Sequence, residues 1–129
     1  MITASSSFSG ISVPSLEEAR AFYVDTLELP LINEDMGLLF TLPGGGRLFI
    51  YERPNHLPAT FTVLNFVVAD INSTIDHMVS YHGITFERYD DLPAKQDERG
   101  VLRGKAAGEG PDIAWFEDPG GNILSIIEE

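Results

Sequence analysis

Three histidines, His56, His77 and His82, come first, because imidazole is a common metal ligand and the side chain that titrates near neutral pH. His56 lies in the proline-marked stretch from Arg53 to Thr60, while His77 and His82 fall on a segment with helical periodicity. A spacing of five residues puts the last two about 140° apart around a helix, so they do not chelate one ion from a common face. The chain has no cysteine, hence no thiolate nucleophile, no Cys-ligated zinc and no disulfide. No Ser-His-acid arrangement is legible. Pro43-Gly44-Gly45-Gly46-Arg47 suggests anion binding, but it feeds a strand rather than a helix and reads as a hairpin turn. Asp118 reads as the cap of a turn around Gly120-Gly121. Glu52 and Glu117 have the position of exposed carboxylates and are candidates for general acid–base work.

Those residues must be held by elements, and a repeat shows which. Pro43-Gly44-Gly45-Gly46-Arg47-Leu48-Phe49-Ile50-Tyr51-Glu52 recurs as Pro119-Gly120-Gly121-Asn122-Ile123-Leu124-Ser125-Ile126-Ile127-Glu128, with six of the ten positions identical. Each copy is a tight turn feeding a strand with alternating side chains. Before the first copy, Phe8 to Val13 reads as a strand, and Ser15 with Glu18 as a capping box. A helix then runs to about Thr26–Glu28. Short strands follow at 31–33, 38–42 and 47–52. The order then repeats: a strand from Thr62 to Val68, an N-cap at Asp70, and a helix with Ile71, Ile75, Met78 and Val79 on its apolar face, stopping at Gly83. Strands are expected at 84–89, 101–106, 113–116 and 122–127. Val13 aligns with Val68 but Pro43 with Pro119, so the second copy carries about 21 extra residues between its helix and its last strand. They are assigned to a loop at 90–111, a flap or a disordered surface segment. The expected organisation is one domain over 1–129, with β-α-β-β-β modules at 6–53 and 61–129.

Composition limits the function classes. With 129 residues, 43% of them hydrophobic, the chain can bury a core. Twenty acidic residues against 8 basic ones give a formal charge of −12. That argues against a nucleic-acid partner, which needs clustered cations, and is compatible with a cationic ligand. No apolar run approaches the roughly 20 residues of a membrane span. Met1 to Ser7 lacks the features of a signal peptide, so a cytoplasmic location is expected.

Two β-α-β-β-β modules, a helix start followed by Phe22-Tyr23, and the stretch Ala114-Trp115-Phe116-Glu117-Asp118-Pro119-Gly120-Gly121-Asn122-Ile123-Leu124 resemble the vicinal oxygen chelate superfamily. That group includes glyoxalase I, extradiol dioxygenases, and fosfomycin- and bleomycin-resistance proteins. The resemblance covers nearly the whole chain. It implies an α+β fold whose two modules form a curved mixed sheet around a cleft. In metal-dependent members a His or Glu sits on the first and last strand of each module. Those places hold Phe8, Phe49, Val63 and Ser125 here, none a convincing ligand for a divalent ion. No metal and no cofactor are therefore expected.

By the pleat's period of two, side chains on the faces of those four positions line the cleft. They include Phe8, Ser12, Arg47, Phe49, Tyr51, Val63, Asn65 and Ser125, with Trp115 able to join from either face. Leu48, Ile50, Leu64, Phe66, Leu124 and Ile126 fall opposite, against the helices. Arg47 could clamp an anionic group; Tyr51 and Trp115 could stack on a planar one. Aromatic walls with a few polar groups suit a small, partly apolar or aromatic ligand. The expectation is a metal-free small-molecule-binding protein, a homodimer by resemblance. The alternatives are a metal-dependent lyase or dioxygenase, and an interaction module without a ligand.

Overall fold

The computed structural model describes residues 2–129 and divides into two compact units between Pro58 and Ala59. Each unit has the β-α-β-β-β order expected from the repeat, in an α+β fold. The first contains β1 (Ser9–Val13), α1 (Leu16–Arg20), β2 (Leu31–Asn33), β3 (Leu38–Thr41) and β4 (Arg47–Glu52), with strand order β1-β4-β3-β2. The second contains β5 (Thr62–Val67), α2 (Ile71–His82), β6 (Leu102–Arg103), α3 (Gly104–Ala107), β7 (Asp112–Glu117) and β8 (Ile123–Glu128), with order β5-β8-β7-β6. The sheets are mixed: β1 runs parallel to β4 and β5 to β8, and the other pairs are antiparallel. No described helix is long and apolar enough to cross a membrane.

The repeat is explained by what its identical residues do. Leu48, Ile50, Leu124 and Ile126 are at most 2% exposed, and each such aliphatic burial is worth about 1.5–3 kcal/mol. The turns match bond for bond. Leu42 N donates to Gly46 O and Gly45 N to Leu42 O; Asp118 N donates to Asn122 O and Gly121 N to Asp118 O. Gly45 and Gly121 have φ of 106° and 85°, a region that side chains rarely enter.

Ser15 caps α1 as expected, its Oγ accepting from Glu18 N at 3.2 Å. Beyond Arg20 the helix widens into π-helical turns over Ala21–Thr26, with Leu27 N bonding Phe22 O at 2.8 Å. Tyr23, on this widened segment, is fully buried against Phe22 and Phe40. Periodicity marked a helix here but not the change of pitch. In the second unit Asp70 Oδ1 accepts from Asn72 N and Ser73 N, and Gly83, at φ 64°, closes α2. Ile71, Ile75 and Met78 are buried, while Val79, expected on the same face, is 47% exposed.

The second unit departs from expectation between its helix and β7. Residues 84–89 are not a ladder strand: they touch β7 through Glu87 N donating to Trp115 O at 2.8 Å. Of 101–106 only Leu102–Arg103 pairs, because Gly104 opens α3, whose Lys105 N donates to Asp112 Oδ1. The extra residues therefore lie in two places, before β6 and between β6 and β7, rather than in one loop at 90–111. The segment before β6 is tied to its own unit. Gln96 Nε2 donates to Glu87 O and Gly100 O, and its Oε1 accepts from Tyr89 N. Asp97 accepts from Arg99 N, Val101 N and Arg103 Nε.

Candidate functional site

In the first unit, five sequence-predicted site residues share one sheet face. Gly10 pairs with Phe49 and Ser12 with Tyr51 across β1 and β4, so alternation places Phe8, Ser12, Arg47, Phe49 and Tyr51 together. Their rings form a row. Phe8 meets Phe49 edge-on at 6.3 Å between centroids, and Phe49 stacks on Tyr51 at 5.9 Å and 17°. The Arg47 guanidinium sits 5.4 Å from the Phe8 ring centre, a cation–π contact, and Nη2 reaches Ser6 Oγ at 3.4 Å. Gly37 is required beside this row, since a Cβ there would stand 2.9 Å from the Phe49 ring and 2.6 Å from Ile50 O. His56, in the proline-marked stretch as read, lies 2.7 Å from Ser12 Oγ through Nδ1.

In the second unit the face is set by β7 and β8. Trp115 pairs with Ser125, which settles the direction of the indole. Asn65 pairs with Ser125 from the other side, and Ser125 Oγ donates to Asn65 Oδ1 at 2.5 Å. Val63 does not join them as expected. A register shift between Thr62 and Leu64 breaks the alternation, and Thr62, paired with Ile123, takes the place on the Ser125 face. Trp115 Nε1 donates to Thr62 Oγ1 at 3.0 Å, which satisfies the buried indole and fixes its rotation.

Around Trp115 lies a cavity of about 260 Å³ lined by Thr60, Phe61, Thr62, Tyr89, Asp91, Leu92, Trp115 and Ile123. Tyr89 meets Trp115 edge-on at 5.9 Å and 84°. Phe61 is 67% exposed, at the rim. The Tyr89 hydroxyl is buried and sits beside the Glu117 carboxylate. Burial, then the charges of Glu117 and Glu87, push this phenol up to about 12. Glu117 follows Trp115 by two residues on β7 and shares its face. Its carboxyl is also raised, by burial first and then by Glu87 and Asp118, against an opposing pull from the Tyr89 hydroxyl.

Tyr89, Phe61 and Asp91 were not legible in the sequence. Tyr89 closes a run expected as a paired strand, and its ring meets Trp115 where the segment is pinned by the Glu87 bond to the Trp115 carbonyl and the Gln96 bond to Tyr89 N. One further expectation holds and one changes. Asp118 is a turn cap, as read: its Oδ1 accepts from Gly120 N and Asn122 N and its Oδ2 from Asn122 Nδ2. His77 and His82, expected about 140° apart on the helix, have ring centroids 5.4 Å apart, with Tyr81 4.8 Å from His77. Side chains leaning along the last turn of α2 close the gap that the helical wheel opens.

The strand positions at which the resemblance implies metal ligands hold Phe8 and Phe49 in the first unit, and Ser125 with Val63 or, after the register shift, Thr62 in the second. Among the described residues no group of three or more His, Asp or Glu is placed to hold an ion. In each unit taken by itself, the rings of the first and the hydroxyl or aliphatic side chains of the second are weak donors to a divalent ion.

No family model matches the chain, and no curated protein sequence does. Solved structures do match. The fosfomycin resistance protein FosX from Listeria monocytogenes superposes with a TM-score of 0.68 at 15% identity, covering 100% of this chain and 95% of that one. A member of the glyoxalase/bleomycin resistance protein/dioxygenase superfamily from Sphaerobacter thermophilus gives 0.64 at 20% identity, covering 96% and 98%. Lactoylglutathione lyase from Agrobacterium tumefaciens gives 0.61 at 18% identity, covering 97% and 94%. At these identities the likeness is one of fold, an α+β fold shared with the solved fosfomycin-resistance, glyoxalase/bleomycin-resistance/dioxygenase and lactoylglutathione lyase proteins.

Proposed function

We propose that this protein binds a small, partly apolar or planar molecule without a metal ion, in the cavity of its second unit. The observation that carries this is the cavity itself: about 260 Å³, walled by Trp115, Tyr89 and Phe61, with the indole locked by Thr62. Small-molecule sites run from roughly 300 Å³ upward, so one or two fused rings match the space. Aromatic walls supply apolar burial and stacking; Thr60, Thr62 and Asp91 supply polar contacts at the edge. In each unit the side chains at those strand positions, Phe8 and Phe49 in the first and Thr62 and Ser125 in the second, are weak donors to a divalent ion, which supports binding without a metal.

Trp115 is the chain's sole tryptophan, so its fluorescence reports on the cavity directly. Titration with quinoline, an uncharged bicycle at pH 7.5, is expected to give a saturable change in emission and a rise in melting temperature, each unaffected by EDTA. A response that needs a divalent ion, or none from a panel of planar bicycles, rejects the proposal.

A further inference from the structure

The walls of the second unit's cavity are three aromatic rings, and the one ionised side chain in its lining is a carboxylate. Resting on the ligand-binding reading above, we infer that the natural ligand carries a positive charge: a quaternary ammonium or an N-alkylated heteroaromatic cation of one or two rings. Trp115 and Tyr89 stand at 84° with centroids 5.9 Å apart, so they form two walls of a corner, and Phe61 offers a third surface at the rim. Aromatic faces carry negative charge density and attract a cation within about 6 Å of the ring centre, tryptophan most strongly.

The acids around the corner have the same sign. Asp91 lines the cavity, Glu117 shares the Trp115 face of β7, and Glu87 is bonded through its N–H to the Trp115 carbonyl. Among the described residues none of the three is in an ion pair, whereas Asp76, Asp97, Asp112 and Glu128 are. Among the described residues no lysine or arginine lines the cavity; Arg88 and Lys95 line the neighbouring pocket that shares Tyr89 and Leu92. A neutral ring gains apolar burial there and nothing more. An anion meets uncompensated charge of its own sign. A cation gains from both the ring faces and the carboxylates, and the chain's formal charge of −12 raises its local concentration.

Titration calorimetry of the whole chain at pH 7.5 with N-methylquinolinium, quinoline and quinoline-2-carboxylate tests this. The cation is expected to bind at least about tenfold more tightly than quinoline, with the carboxylate weakest. The ratio is expected to shrink in 0.5 M salt, where charges more than a few ångströms apart are screened. It is also expected to shrink in Asp91→Asn, a substitution at an exposed loop position. If quinoline binds as tightly as its methylated cation, the charge inference falls while the ligand-binding reading stands. An unchanged ratio in Asp91→Asn also overturns the inference, because the cation is then held elsewhere. If no compound binds and the melting temperature does not move, both fall together.

Discussion

The backbone N–H of Ile71 donates to Glu128 Oε1 at 2.8 Å, while Lys105 Nζ holds Oε2 of the same carboxylate at 2.5 Å. In the first unit Glu52 Oε1 accepts from Leu16 N at 2.9 Å. The last identical residue of the repeat therefore closes the N-terminus of the helix in its own unit, where orphan N–H groups and the helix dipole favour a carboxylate. This makes the Glu at the end of each copy part of the scaffold rather than of the chemistry.

Glu128 is held below the ordinary carboxylate value by its hydrogen bond to Lys105 first and by the Ile71 N–H second. A depressed carboxylate contributes stability above its unfolded value, 4.5, and loses it as pH falls through the lower folded value. Glu128→Gln is expected to lower the melting temperature by a few degrees at pH 7. The gap from the parent should close as pH is taken from about 5 to about 3. A gap that stays constant across that range would show that the charge is immaterial.

Asp97 organises the segment before β6. Burial opposes its charge, but Val101 N–H, the Arg103 guanidinium and Arg99 N–H overcome this and hold the carboxyl below its usual value. Asp97→Ala is expected to cost about 2 kcal/mol, the scale of hydrogen bonds to a charged group. Amide exchange should quicken from Tyr89 to Val101 and not in α1. Equal protection of both segments in the variant would contradict this role.

Tyr89 and Glu117 predict opposite ends of the pH profile. The phenol, raised from 10.0 to about 12, contributes stability that is complete below its unfolded value and lost as pH rises through the folded one. Tyr89→Phe should leave stability at pH 7 unchanged or slightly higher, and remove the loss seen between about pH 10 and 12. Glu117, also raised, costs stability once ionised. Glu117→Gln should raise the melting temperature at pH 7 and give no gain near pH 4. A Glu117→Gln gain independent of pH would point away from the carboxylate's charge.

Thr62→Val removes the acceptor of the Trp115 indole and leaves a buried N–H unpaired. The expected cost is about 1–2 kcal/mol, with a shift in Trp115 emission and weaker quinoline binding. Thr62→Ser, which keeps the oxygen, should restore most of the binding. If Val and Ser variants behave alike, the hydrogen bond is not what sets the wall.

Much of the scaffold was legible. Local signals are written in adjacent residues: the Ser15 and Asp70 caps, the Gly83 stop, and the two Pro-Gly-Gly turns. Alternation along β4 and β8 correctly separated Leu48, Ile50, Leu124 and Ile126 from Phe49 and Ser125. The errors came where periodicity was interrupted. A one-residue register shift exchanged Val63 for Thr62, and α3 replaced most of a strand expected at 101–106.

The amino-acid sequence by itself determined the duplicated β-α-β-β-β plan and the faces of its last strands. Each follows from short-range spacing, which a pattern of two or 3.6 residues records directly. Tertiary structure alone decided that Tyr89, from an irregular segment, meets Trp115 from β7, and that Ser12 finds His56 across 44 positions. Such contacts depend on where a chain without periodicity is pinned, here through Gln96, Asp97 and the Glu87–Trp115 bond. No local spacing encodes that choice.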